Sequence, residues 1–230
     1  MKRPYSEISQ EIKPLDLLLF RGYEMVSKMI MRVEKDVEGC GEFSHVGVVV
    51  NSEILPNVRN LKPGRWYVWE STASGKLGEG IKNINGRTFL GVQVRDLEEV
   101  VLKYGEVGGD VAWASLINNP YGKNLNIPLI MEDLYNKYNN TYYDCCIPDL
   151  IASIFKNFRK VRNLYRKFMP VDLQFCSELV ARVYQKLGII DQNLDPEDVT
   201  PVDFLGYDQD GIPKLVKDPV YFTEASKGIP

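Results

Sequence analysis

Apolar residues along the chain occur in short runs that are typical of buried β-strands. Three of these runs, Pro14 to Phe20, Ser44 to Val50 and Arg65 to Glu70, are rich in leucine, β-branched or aromatic side chains. Glycine, proline or small polar residues bound the runs, as expected at strand ends. Residues 87 to 94 form a fourth run, which is followed from Asp96 by a helical or loop stretch. We therefore predict a sheet in which the second and third runs pair antiparallel.

Other segments carry apolar residues at the spacing of one helix face. Residues 23 to 34 show this spacing, and residues 110 to 140 contain helical pieces that are interrupted by Pro128 and by turn residues. Residues 191 to 210 hold seven acidic residues, no basic ones and two prolines. This composition predicts that the last segment is mostly a solvated surface loop.

Two further helices bear on function. The segment 151 to 168 has an apolar stripe, and six Lys or Arg residues with no acidic residue lie between Lys156 and Lys167. Two interpretations of this basic helix are open. It packs one face on the core and leaves the basic face solvated, or it docks peripherally on an anionic membrane surface. The second helix begins at Cys176 and ends before Gly188, which suits a left-handed cap.

Length and composition indicate one folded domain. The chain has 230 residues, and we predict a single domain over residues 1–230 with a helical insertion around residues 110–170. Its 44% hydrophobic and 26% charged residues are typical of globular proteins, and the net charge of −3 gives no reason to expect a nucleic-acid partner. No run approaches the roughly 18 apolar residues of a membrane span, and the N-terminus lacks an apolar signal, so we expect a soluble cytoplasmic protein.

The four cysteines are too few for a disulfide scaffold, so free thiols in a reducing compartment are expected. Zinc is disfavoured because the chain has no Cys-x-x-Cys pair and no second histidine. The glycine pairs lack the context of a phosphate-binding loop, and no other cofactor is indicated.

The single histidine, His45, is the only imidazole available for acid–base chemistry. Cys176 opens a helix, where unpaired N–H groups and the helix dipole stabilise a thiolate. A thiol nucleophile benefits from an imidazole partner, and the imidazole needs an acceptor, for which Glu70 is available. If the second and third strand runs pair antiparallel, His45 and Glu70 lie at one end of the sheet. Taken alone, however, a cysteine on the apolar side of a helix usually packs in the core.

These residues are more specific in combination with their neighbours. Six short blocks occur in a fixed order: Asp16 to Phe20, Ser44 to Val48, Trp69-Glu70, Tyr143-Asp144, Phe175 to Val180 and Thr200 to Phe204. In this order they resemble the circularly permuted papain-like hydrolases, in which the histidine strand precedes the cysteine helix. The chain looks closest to the YaeF/YiiX-like amidases of the NlpC-type superfamily, which also includes lecithin:retinol acyltransferase-like enzymes and poxvirus proteins.

The resemblance implies an α+β fold in which an antiparallel sheet packs against the helix that carries the catalytic cysteine. It implies Cys176 as the nucleophile, His45 as the base and Glu70 as the orienting acid. Tyr143 matches a tyrosine that assists the oxyanion in relatives, and Tyr142 is the alternative for that role.

The activity that the resemblance implies is hydrolysis of an amide, peptide or acyl ester bond through a thioester on Cys176. Peptides, amides and lipid esters all suit such a site as substrates. Two alternatives stay open, namely a catalytically silent module that binds a lipid or a peptide, and acyl transfer at the same site.

Overall fold

The structure is a computed structural model that describes residues 1–22, 42–72, 80–123, 125–143, 173–174, 176–206 and 213–224, with the backbone alone for residues 143, 173 and 174. The helices predicted at residues 23 to 34 and 151 to 168 lie outside these residues. The peripheral membrane contact suggested for the second of them therefore stays a prediction. Within the described part of the chain, no helix is both long and apolar enough to cross a membrane.

The described residues contain nine strands and four α-helices. The strands are β1 (Lys2–Arg3), β2 (Leu17–Arg21), β3 (His45–Val50), β4 (Tyr67–Thr72), β5 (Gly91–Asp96), β6 (Asp110–Ala114), β7 (Tyr142–Tyr143), β8 (Leu173–Gln174) and β9 (Val220–Phe222). The helices are α1 (Tyr5–Ile8), α2 (Leu97–Glu106), α3 (Ile127–Tyr138) and α4 (Cys176–Lys186), with short 3₁₀ helices at Pro196–Asp198 and Asp203–Leu205.

All nine strands belong to one sheet in the order β1-β9-β6-β2-β3-β4-β5-β7-β8. The five central strands β6, β2, β3, β4 and β5 pair antiparallel, whereas β1 with β9 and β7 with β8 pair parallel. The predicted antiparallel pairing of the histidine strand β3 with β4 is confirmed. The mixed composition of one sheet and four helices confirms the α+β class.

Apolar side chains cover both faces of the sheet, because successive residues of a strand point to opposite sides. One face packs against α4 and α3 in a cluster that includes Leu19, Val46, Val48, Leu179 and Val180. The other face packs against α2 in a cluster that includes Phe20, Val49, Val68, Val100 and Tyr104. Each fully buried Val, Leu or Phe contributes about 1.5–3 kcal/mol, so two covered faces hold the central strands in register.

Local signals fix the two helices that flank the site. The Asp96 carboxylate caps the N-terminus of α2 by accepting a hydrogen bond from the Glu99 N–H. Aspartate is one of the residues preferred at this position. The predicted helix from Cys176 is confirmed as α4, and Gly188, with a φ of 69°, lies just beyond its end.

Some sequence-based boundaries differ from the structure. The prediction of helical pieces beginning at residue 110 is wrong at its start, because Asp110–Ala114 forms β6 in the middle of the sheet. The fourth apolar run is displaced, since β5 spans Gly91–Asp96 rather than residues 87 to 94. The segment from residue 191 is not simply a solvated loop, because Val199, Val202 and Phe204 are buried. The prediction gave weight to the seven acidic residues of this segment and not to the apolar residues between them.

A buried carboxylate ties β2 to the segment that follows β6. Asp16 is fully buried, and its two oxygens accept four hydrogen bonds. The donors are the backbone N–H groups of Lys13 (2.9 Å) and Leu116 (3.0 Å), the Trp113 indole (2.9 Å) and the Asn119 amide (3.2 Å). An acceptor-only side chain suits this position, since four donors already point at it.

Asp16→Asn is therefore expected to lower the free energy of unfolding by about 1–3 kcal/mol, because an amide NH₂ would face N–H donors and leave a buried hydrogen bond unmade. Urea denaturation followed by circular dichroism measures the change. The matched control is Asp133→Asn on the exposed side of α3. Equal stability of the two variants would contradict the role given to Asp16.

Candidate active site

His45 is the first residue of β3, at the end of the sheet where that strand begins. Its side chain is 13% exposed, and its ring lies against Phe20 with the centroids 4.9 Å apart. Phe20 is the residue that pairs with His45 across the β2–β3 ladder. The neighbouring strand therefore supports one side of the imidazole and leaves its edge available for hydrogen bonds.

Glu70 lies on the adjacent strand β4 and reaches His45 directly. The His45 Nε2 and Glu70 Oε2 atoms are 2.6 Å apart, the distance of a charge-assisted hydrogen bond. Because Val48 pairs with Trp69, the residue opposite Glu70 on β3 is Gly47. Glycine leaves the surface of β3 bare at this point, and the carboxylate can extend along it toward His45.

Arg95 on β5 holds the other oxygen of the same carboxylate. Its Nε and Nη2 atoms both lie 2.6 Å from Glu70 Oε1. The Glu70 side chain has no exposed surface, and that of Arg95 is 1% exposed. Burial by itself raises the pKa of the Glu70 carboxyl, but the positive charge of Arg95 and the contact with His45 outweigh burial and lower it below its usual value. Glu70 is thus ionised between two cationic partners.

Cys176, the first residue of α4, completes the group and is 7% exposed. The His45 side chain and the backbone N–H groups of Val46 and Ser177 act on its sulfur and stabilise the thiolate. Because Nε2 of His45 is bound to Glu70, Nδ1 is the ring nitrogen left for the thiol. The sheet end and the helix start therefore bring Cys176, His45 and Glu70 into one row, in which Glu70 is hydrogen-bonded to His45 and His45 interacts with Cys176.

The charges in this row stabilise one another. Burial raises the pKa of the Cys176 thiol, but the His45 cation and the hydrogen bonds to the sulfur outweigh it and give a lowered pKa. Burial lowers the pKa of His45, whereas the negative charges of Cys176 and Glu70 raise it from 6.5 to about 10. Opposite shifts of this kind are typical of a thiolate–imidazolium pair, and the thiolate is the nucleophilic form of cysteine.

Tyr143, assigned to the oxyanion by resemblance, is placed only by its backbone. It pairs with Gln174, two residues before Cys176, and its side chain lies outside the described residues. Tyr142 is 60% exposed, and its ring packs against Phe89 with the centroids 5.4 Å apart.

Sequence reasoning missed Arg95. The available signal was a cationic residue directly after the valines of a predicted strand, since a fully buried arginine requires an anionic partner. Among the described residues, no group of three or more His, Cys, Asp or Glu side chains is arranged to hold a metal ion. Cys40, Cys145 and Cys146 lie outside those residues.

Comparisons with known proteins give little beyond this geometry. No family model matches the chain, and no curated protein matches it. Among solved structures, the chain is similar to the metalloprotein YiiX from Escherichia coli O157:H7, with 16% sequence identity and a TM-score of 0.43, over 93% of this chain and 91% of that chain. This weak similarity leaves the family and the activity of the chain to be argued from the site itself.

The bare surface at Gly47 provides a test of the geometry. A Cβ atom at this position would lie 2.5 Å from Val68 Cγ2 and 3.1 Å from Glu70 Cβ, so Val68 would have to shift and Glu70 would be pushed away from its position beside β3. Gly47→Ala is expected to slow alkylation of Cys176 by iodoacetamide at neutral pH about tenfold or more, because a hydrogen bond to a charged group is worth about 1.5–3 kcal/mol. Peptide mass spectrometry measures the rate.

The control for a general loss of stability is Leu187→Ala, which removes a buried side chain just beyond the far end of α4. If Gly47→Ala and Leu187→Ala slow alkylation equally, the proximity of Gly47 to Glu70 does not matter to the site.

Proposed function

We propose that this protein is a cysteine hydrolase that cleaves an amide, peptide or acyl ester bond through an acyl-thioester on Cys176. The observation that carries the proposal is the buried row in which Glu70 is hydrogen-bonded to His45 and His45 interacts with the Cys176 thiol. A cysteine that is only a core residue has no need of an imidazole whose other nitrogen is held by a buried carboxylate.

In the first half of the reaction, the Cys176 thiolate attacks the substrate carbonyl carbon and forms a carbon–sulfur bond. The carbonyl π electrons move to oxygen, which becomes the oxyanion. As the oxyanion collapses, the bond to the leaving amine or alcohol breaks, and the His45 imidazolium donates its Nδ1 proton to the leaving group. The products are a thioester on Cys176, a neutral imidazole and the free amine or alcohol.

In the second half, neutral His45 accepts a proton from water while the water oxygen attacks the thioester carbonyl. Collapse of this second oxyanion releases a carboxylic acid product and returns Cys176 as a thiolate beside the imidazolium. Glu70 keeps the ring in place throughout and stabilises its positive charge, without itself taking up a proton.

The oxyanion needs donors that are fixed before the reaction begins. We assign this role to backbone N–H groups around Cys176, which begins α4, and to Tyr143. The backbone position of Tyr143, beside the residue two before Cys176, supports that assignment over Tyr142, whose ring is exposed and packs on Phe89.

The same proposal includes the fold family. The histidine strand β3 precedes the cysteine helix α4 in the chain, and the sheet that carries His45 and Glu70 packs against that helix. This order supports a circularly permuted papain-like domain of the NlpC type, with residues 1–230 forming one domain.

The test is intact-mass spectrometry during incubation with p-nitrophenyl esters of short and long acyl chains and with peptide amides. We expect an adduct of the acyl mass that peptide mapping places on Cys176, followed by its loss as the acyl group is hydrolysed. His45→Ala is expected to slow turnover by about two to four orders of magnitude, and Glu70→Gln by less, since an amide oxygen still accepts a hydrogen bond from the ring.

Cys176→Ala is the matched control and should carry no adduct at that position. Stable acylation without release, unless an added amine or alcohol acceptor is supplied, would indicate acyl transfer instead of hydrolysis. Absence of any Cys176 adduct with every donor, while the same donors bind, would contradict the hydrolase and favour a binding module.

A further inference from the structure

The two oxygens of the Glu70 carboxylate contact different cations, Arg95 and His45. The Arg95 Nε donates a hydrogen bond to Oε1, with Nη2 also 2.6 Å from that oxygen, whereas His45 contacts Oε2. The carboxylate is thereby clamped from the β5 side and cannot rotate without breaking a contact on one side or the other. Because a guanidinium is planar and rigid, it fixes the direction of its hydrogen bond to Oε1, whereas an ammonium group rotates freely at the end of its stem.

The charges of the neighbouring groups also favour the contact between Arg95 and Glu70. From Arg95 through Glu70 and His45 to Cys176, the four groups carry charges of alternating sign and sum to zero when the thiol is ionised. Three of them are buried, and the fourth, His45, is nearly so. An uncompensated charge in such surroundings costs several kcal/mol. In the described part of the chain, the charges that act on Glu70 are those of Arg95 and His45.

We propose that Arg95 is a positioning residue of the site, which orients Glu70 toward His45 and supplies the positive charge that allows Cys176 to ionise while the row stays neutral. The assignment of a reaction rests on the function proposed above, but the effect on ionisation does not. Arg95 contacts Glu70, which in turn contacts His45, so it acts on the thiol through Glu70.

Removal of Arg95 leaves Glu70, His45 and Cys176 with a net charge of −1 when the ring is protonated and the thiol is ionised. A proton must then stay on Cys176 or on Glu70 at pH values where the wild-type row has released it. Removal of both Arg95 and Glu70 restores neutrality, because the thiolate and the imidazolium balance each other alone. Arg95 and Glu70 are thus expected to compensate each other, which a purely space-filling arginine would not do.

The experiment measures the alkylation rate of Cys176 against pH in a chain whose other three cysteines are replaced by serine. Arg95→Met is expected to raise the midpoint of the profile by about one pH unit or more, which is a tenfold loss of thiolate at a given pH below the midpoint. Arg95→Lys, which keeps the charge but not the planar guanidinium, is expected to shift it less. The double variant Arg95→Met/Glu70→Gln should return to within about half a unit of wild type.

Circular dichroism establishes that each variant is folded. A folded Arg95→Met protein with the wild-type midpoint overturns the proposal, and so does a double variant that stays at the Arg95→Met midpoint. If Arg95→Met does not fold, the double variant decides, and a midpoint more than one unit from wild type overturns the proposal. No substrate is needed, so failure of the hydrolase proposal in the acylation experiment remains a separate result.

Discussion

The rest of the site depends on a single buried carboxylate. Glu70 has no exposed surface, and a carboxylate in that position is stable only when cations and donors replace the water it has lost. Arg95 comes from the strand on one side and His45 from the strand on the other. The requirement to satisfy Glu70 therefore links β3, β4 and β5, and a slip of one residue in any of them would turn the side chain to the opposite face.

This requirement also explains why the imidazole is available to a thiol. With Nε2 held by Glu70, the tautomer and the ring orientation are fixed, and Nδ1 is the ring nitrogen left for Cys176 at the start of α4. The helix contributes the backbone N–H of Ser177 to the sulfur of Cys176, and β3 contributes that of Val46. The sheet thus determines the state of the base, sheet and helix together determine the state of the nucleophile, and the apolar packing between them keeps the two in contact.

The sequence was sufficient for residues whose chemistry is rare or whose local signals are strong. A single histidine, a cysteine at a helix start and two strand runs of ordinary pattern identified His45, Cys176 and the β3–β4 pair. Arg95 was missed because its role comes from a cross-strand diagonal, and pairing register is not visible in one strand. β6 was missed because a five-residue strand, Asp110–Ala114, gives a weak periodic signal and its partner lies about ninety residues away in the chain.

The raised pKa of His45 means that its ring is protonated at neutral pH, where it is paired with a thiolate and a carboxylate. His45 is the only histidine in the chain, so its imidazole NMR signals require no assignment by mutation. A raised pKa means that the ring keeps its proton to higher pH. We expect imidazolium shifts through neutral pH, with titration at a pKa of about 10, and a midpoint that falls in Cys176→Ala. Titration of the wild-type ring near its ordinary pKa of about 6.5, unchanged in Cys176→Ala, would contradict the pairing of His45 with a thiolate.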